Sequence, residues 1–295
     1  MRVAGAPISW GVSELPGWGY RMPPERVLAE MASLGLQATE LGPPGYLPAD
    51  PAGLRALLDR HGLRLVAGFL ATVLHDGGQS PGVKIDRQAA ILAAGGASVL
   101  VLAAAYPGDG YDAQASLGST EWTRLVERLE EAEHIARRHG LELAFHPHAG
   151  TAVASAQDVR RMLSTSAVGL CLDTGHLFLG GADPAALARD AAGRVRHVHI
   201  KDVKATIAER LHRGEISYAE AVRGGLYTPL GAGDLDIESV LSRLQEIGYD
   251  GWFVLEQDSS LAAEPGPHAG PVAAARQSLD YFRRISGAGP AAASR

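Results

Sequence analysis

The sequence contains a single cysteine, Cys171, in 295 residues. A lone thiol excludes an intrachain disulfide framework and a multi-cysteine zinc module. No apolar run approaches the ~20 residues that a bilayer-crossing helix needs, so no membrane partner is expected. The opening Met1-Arg2-Val3-Ala4-Gly5 lacks a signal-peptide layout, and the expectation is a soluble, cytoplasmic protein. Dense basic runs are also missing: 27 basic against 33 acidic side chains give a formal charge of −6, which speaks against a nucleic-acid partner. The compact catalytic signatures are absent too, with no H-E-x-x-H, no G-x-S-x-G and no dinucleotide fingerprint after the first strand. Gly231-Ala232-Gly233-Asp234 lacks the Lys and Ser/Thr of a P-loop and reads as a turn. Asp173-Thr174-Gly175 matches the aspartic-protease triplet, but no second copy exists. What the chain does have is eleven histidines.

Short apolar runs alternate with amphipathic stretches along the chain. The runs are Val3–Ser9, Gln37–Leu41, Leu63–Leu70, Ser98–Ala103, Leu141–His146, Val168–Asp173, Val195–Lys201 and Gly251–Glu256. They are continuous rather than polar-alternating, as strands covered on both faces require. Between them lie helical candidates, several opened by proline (Pro24, Pro51, Pro184) and several closed by glycine (Gly35, Gly62, Gly140, Gly248). The longest, Thr120–Arg138, is expected to start from a threonine cap. Eight such units predict a (β/α)8 TIM barrel, with a doubly wound sheet as the alternative. A single domain is expected over 1–286. Within it 203–227 forms a lid-like insertion with helical patches at Ala205–His212 and Tyr218–Val222, and 287–295 is a disordered tail.

In such a barrel the chemistry sits at the C-terminal ends of the strands. Those ends carry Glu40, His146-Pro147-His148, Asp173-Thr174-Gly175-His176, His197-Val198-His199-Ile200-Lys201-Asp202 and Glu256-Gln257-Asp258. Taken alone, His146 and His148 read as hydrogen-bonded strand-end histidines, Asp173 as a turn-tying carboxylate, and Lys201 with Asp202 as a solvated ion pair. Glu256 ends the run Trp252-Phe253-Val254-Leu255, where a carboxylate has to be paired, ligating or exposed. His197 is deeper and fits a packed role, and Cys171 fits an inert buried thiol. Together, imidazoles and carboxylates on adjacent strand ends suit one divalent transition metal.

The series His146-Pro147-His148-Ala149-Gly150-Thr151, Leu172-Asp173-Thr174-Gly175-His176-Leu177, His197-Val198-His199-Ile200-Lys201-Asp202-Val203 and Gly251-Trp252-Phe253-Val254-Leu255-Glu256 resembles the inosose dehydratase family of the xylose-isomerase-like barrels. The resemblance is best over about 141–285. It implies a metal held by His146, Asp173, His199 and Glu256, with Mn²⁺ or Co²⁺ as first expectations and Zn²⁺, Fe²⁺ or Mg²⁺ as alternatives. Isomerases and epimerases of the group carry glutamate where this chain has His146, which favours the dehydratase branch. Related dehydroshikimate dehydratases are similar in having counterparts of His148 and Lys201.

The activity so implied is loss of water from a cyclic keto-polyol through an enediolate, in inositol catabolism. His148 is the expected base, since imidazole titrates nearest neutrality. Lys201 is expected to stabilise the enolate or assist the departing hydroxyl, and His176 and Glu40 to meet substrate hydroxyls. The two imidazoles His146 and His148 remain exchangeable between ligand and base. A metal-dependent sugar or inosose isomerase or epimerase is the second reading, and a polyol-binding barrel without turnover the third. An apurinic-site endonuclease relative is disfavoured by the charge. The expected partner is a small polyol or ketose, and a homo-oligomeric assembly is allowed.

Overall fold

The computed structural model describes residues 1–108, 110–112 and 116–287. Seven strands come in regular succession: β1 (Arg2–Gly5), β2 (Ala38–Glu40), β3 (Arg64–Thr72), β4 (Val99–Ala104), β5 (Glu142–Phe145), β6 (Gly169–Asp173) and β7 (Val195–Ile200). A short antiparallel ladder follows, β8 (Asp202–Val203) against β9 (Tyr227–Thr228), and then the last barrel strand, β10 (Trp252–Leu255). The barrel closes in the order β1-β2-β3-β4-β5-β6-β7-β10, with β10 paired in parallel to β1. The expected eightfold barrel is therefore the observed one, and the doubly wound alternative is not.

Around it lie α1 (Pro24–Ser33), α2 (Pro51–Arg60), α3 (Gly82–Ala94), α4 (Ser119–Arg138), α5 (Ala156–Thr165), α6 (Thr174–Leu179), α7 (Pro184–Asp190), α8 (Ala205–His212), α9 (Tyr218–Arg223), α10 (Ile237–Glu246) and α11 (Pro271–Ile285). Pro24, Pro51 and Pro184 open their helices as expected. The threonine cap does not exist. Gly118 is the N-cap of α4, and its N–H donates to Glu121, a carboxylate in the first turn. Helix α6 was not foreseen; it follows directly on β6, where Asp173 caps it by accepting the His176 N–H at 2.9 Å. Both helical patches of the insertion are present, as α8 and α9. Of the expected tail only Gly287 falls within the described residues.

Strand periodicity sorts the core into two layers. Small side chains fill the barrel interior: Ala4, Ala38, Val99, Val101, Ala144, Cys171 and Val254. The alternate positions, Leu100, Leu102, Leu143, Phe145, Leu172, Val198 and Phe253, are large and pack beneath the helices. Fully burying one such side chain contributes about 1.5–3 kcal/mol, so the outer layer holds the helices on. The inward rows climb toward the C-terminal mouth, and there their chemistry changes from apolar to polar.

Candidate metal centre and cavity

Four inward rows end in ionisable groups. Ala144 is followed two residues on by His146 and then His148, Cys171 by Asp173, His197 by His199 and Lys201, and Val254 by Glu256 and Asp258. All of these polar side chains are buried or nearly so, Asp173 completely. His146 Nε2 lies 3.5 Å from Asp173 Oδ2, and His199 Nδ1 lies 3.4 Å from the same oxygen and 2.8 Å from Glu256 Oε2. The structure thus brings together the four residues expected to hold a metal.

Their protonation is dictated by what stands behind them. His146 Nδ1 faces the Pro147 carbonyl at 2.8 Å, so that nitrogen carries the hydrogen and Nε2 presents a lone pair. His199 Nε2 faces Glu40 Oε1 at 3.0 Å, which leaves Nδ1 as the free nitrogen. In the neutral imidazoles two lone pairs then converge on two carboxylates. Asp173 Oδ2, His199 Nδ1 and Glu256 Oε2 are buried with no aligned hydrogen bond. Acceptors facing acceptors in a dry site are strongly unfavourable unless a cation sits among them. The mixed nitrogen and oxygen donors fit a divalent transition metal, and Asp173-His199-Glu256 offer ligand atoms all within 4.8 Å of one another.

The electrostatics agree. Burial disfavours the imidazolium of His199, but Cys171, Glu256 and Glu40 outweigh it and hold the group well above the usual histidine range. Burial likewise opposes ionisation of Glu256, yet His199 and Lys201 hold its carboxyl down at about 2. The site therefore keeps its carboxylates charged and gathers a proton on His199 in the cation's place.

Lys201 is 1% exposed. Its Nζ lies 3.3 Å from Asp173 Oδ2, 3.0 Å from Glu256 Oε1, 2.8 Å from Asp258 Oδ1 and 3.0 Å from His176 Nε2. Burial disfavours its charge, but Asp173, Asp258 and Glu256 keep it an ammonium. The solvated Lys201–Asp202 pair is overturned. The two side chains point to opposite faces of the strand, and Asp202 accepts backbone N–H bonds from Val203, Gly231, Gly233 and Leu235.

A cavity of ≈ 190 Å³ opens onto the cluster, and His146, His148, His199, Glu40, Glu256 and Asp258 line its floor. Its upper wall includes Glu14, Trp18, Tyr111 and Tyr218, drawn from separate loops. His148 lies between His176 and Tyr111, at ring-centroid distances of 3.7 and 4.3 Å. Its Nδ1 faces the Ala149 carbonyl at 2.8 Å, leaving Nε2 unprotonated. Burial first, then His146 and Lys201, push its pKa well below the usual value, so the ring is neutral.

The remaining expected site residues are Lys201, His176 and Glu40. Lys201 and His176 do not line the cavity. His176 is turned inward by α6, with Nε2 toward Lys201 and Nδ1 3.4 Å from the Tyr227 hydroxyl. Glu40 does reach the cavity, but its Oε1 accepts from both His197 (2.8 Å) and His199 (3.0 Å). His197 is packed and hydrogen-bonded as expected, and burial raises the Cys171 thiol to about 11. Sequence reasoning put Asp258 at a strand end without a role, and missed Tyr218 and Tyr227. The parity that placed Glu256 inward also places Asp258 inward, so that signal was present; nothing comparable marked the tyrosines.

Comparison with known proteins places the chain in a family. The xylose isomerase-like TIM barrel family matches residues 28–285. An inosose dehydratase of Geobacillus kaustophilus (strain HTA426) is 32% identical, covering 96% of this chain and 94% of the relative. Among solved structures, L-ribulose 3-epimerase superposes with a TM-score of 0.71 at 18% identity, covering 100% of this chain and 99% of the other. The IolI protein with a bound zinc atom superposes with a TM-score of 0.69 at 16% identity, covering 97% and 98%. The chain belongs to the xylose isomerase-like TIM barrel family, and within it to the inosose dehydratases.

Proposed function

We propose that this chain is a metal-dependent hydro-lyase that removes water from an inosose, a cyclic keto-polyol, in inositol catabolism. The observation that carries the reading is the convergence of His146 Nε2, Asp173 Oδ2, His199 Nδ1 and Glu256 Oε2 beside a neutral, cavity-facing His148. His146, Asp173, His199 and Glu256 would hold the ion. Manganese or cobalt is the first choice, with zinc, iron or magnesium as alternatives. When bound, a divalent metal supplies Lewis acidity toward a ketone and a neighbouring hydroxyl, which acidifies the α-proton.

His148 Nε2 takes that proton; its hydrogen bond to Ala149 fixes the tautomer, and the flanking rings of His176 and Tyr111 fix the plane. Lys201 acts from behind the carboxylates, where its ammonium offsets their charge and favours negative charge developing on substrate. His176 positions Lys201 rather than touching substrate. Glu40 holds His199 and presents its carboxylate edge to the cavity. The segment 203–227 serves as the lid of a single barrel domain spanning 1–286. The enzyme so read works in the cytoplasm on a diffusible polyol.

The test is incubation of metal-analysed protein with myo- and scyllo-inosose while product mass is followed. Loss of one water from either supports the reading, and loss from neither sinks it. Conversion at unchanged mass assigns the isomerase or epimerase alternative.

A further inference from the structure

Five buried side chains close a ring of contacts between the 203–227 segment and the barrel. The Tyr218 hydroxyl donates to Asp258 Oδ2 at 2.8 Å, and Asp258 Oδ1 lies 2.8 Å from Lys201 Nζ. Lys201 Nζ lies 3.0 Å from His176 Nε2, and His176 Nδ1 lies 3.4 Å from the Tyr227 hydroxyl. That hydroxyl completes the ring at 3.1 Å from the Tyr218 hydroxyl. Tyr218 opens α9 and Tyr227 lies on β9, whereas the other three are anchored at the mouth of the barrel. Only Tyr218 and Asp258 of the five also line the cavity.

Asp258 is the unusual member. It is 6% exposed and lines the cavity, with Oδ2 accepting from Tyr218 and Oδ1 paired with the Lys201 ammonium. A carboxylate has about four acceptor sites, so one that lines a cavity and holds a single donor on each oxygen can still accept from a ligand. The donor that fits a cavity of this chemistry is a hydroxyl of a polyol. Tyr218 is held from the other side as well, because its backbone N–H donates to Asp112 Oδ1 at 2.6 Å. The carboxylate is thus aimed by a residue whose own place depends on the seating of the cap.

We propose that Asp258 is a specificity-determining residue that accepts a ring hydroxyl away from the reacting carbons, and that Tyr218 is the positioning residue that aims it. The proposal rests on the dehydratase reading and deepens it: His146, Asp173, His199 and Glu256 would hold the ion at one side of the cavity, and Asp258 fixes the rotation of the polyol ring within it. No proton leaves Asp258 in this role. It is a hydrogen-bond acceptor throughout.

The experiment compares wild type, Asp258→Ala, Asp258→Asn and Tyr218→Phe, each with measured metal content and circular dichroism, on scyllo-inosose and its monodeoxy analogues. On the full polyol, Asp258→Ala is expected to lower kcat/KM about 100-fold and Tyr218→Phe about 10-fold, mainly through KM, with metal stoichiometry retained. On the one analogue that lacks the gripped hydroxyl, wild type drops to the level of the variants and the variants lose less than about threefold further. Equal losses on every substrate, or no loss, overturn the proposal. A wild type inert toward inososes sinks the dehydratase reading instead. Asp258 is then judged by calorimetric binding of myo-inositol to metal-loaded protein, where Asp258→Asn weakens affinity at least about tenfold if the assignment holds. Unchanged affinity, or no binding by wild type, overturns it.

Discussion

His199 and Glu40 meet across the barrel: the Nε2 of the imidazole from β7 donates to the carboxylate of β2 at 3.0 Å. That bond decides which nitrogen His199 offers to a metal. Glu40→Gln keeps the size but replaces the charged acceptor, so metal affinity is expected to fall about 10–100-fold with the fold intact. Competition against a chelator of known affinity reads this directly. Unchanged affinity would show that the tautomer is fixed by other means.

His148→Ala is expected to abolish turnover while leaving the metal stoichiometry as in wild type. The ring lines the cavity, and no carboxylate is hydrogen-bonded to it among the described contacts. Elemental analysis of the purified variant separates the two roles: a variant without metal exchanges the assignments of His146 and His148.

Metal loading is expected to release a proton. Buried though it is, His199 is held above the ordinary histidine range by its acidic neighbours, so metal-free protein carries the imidazolium at neutral pH. The ion needs the bare Nδ1. The apparent association constant therefore rises about tenfold per pH unit while the pH stays below the folded-state pKa, and flattens above it. A titration between pH 6 and 8 checks the slope, and a slope of zero refutes the assignment of His199 as a ligand.

Asp202→Ala is expected to destabilise the fold by about 3 kcal/mol, because it strands backbone N–H groups that the carboxylate now satisfies. Denaturant melts of metal-loaded protein measure it. A loss under about 0.5 kcal/mol would place those N–H groups in water instead.

Much of this was legible in the chain because β-strand parity is rigid. Once Ala144, Cys171 and Val254 are inward, His146, Asp173 and Glu256 two residues later are inward as well, and no tertiary information is needed. The same rule separates Lys201 from Asp202, which proximity in sequence had paired as a solvated couple. His176 is set by a different rule. Asp173 starts a helix immediately, and the helical turn sets the ring against His148 and Lys201 rather than in the cavity lining. Tyr218 and Tyr227 depend on how a thirty-residue-scale excursion folds back, a non-local outcome that no local pattern encodes.

Asp202 touches both ends of that excursion, Val203 where it leaves the barrel and Gly231, Gly233 and Leu235 where it returns. A segment cinched at its neck behaves as an interchangeable part. Its length and sequence are expected to vary without pulling on β7 or β10 so long as Tyr218 and Tyr227 keep their contacts with Asp258 and His176. Natural variation between those two ends is therefore free to re-tailor which ring hydroxyls are met, above a metal floor that stays the same. A chimera that exchanges only this part between relatives should carry substrate preference with it and leave metal affinity behind.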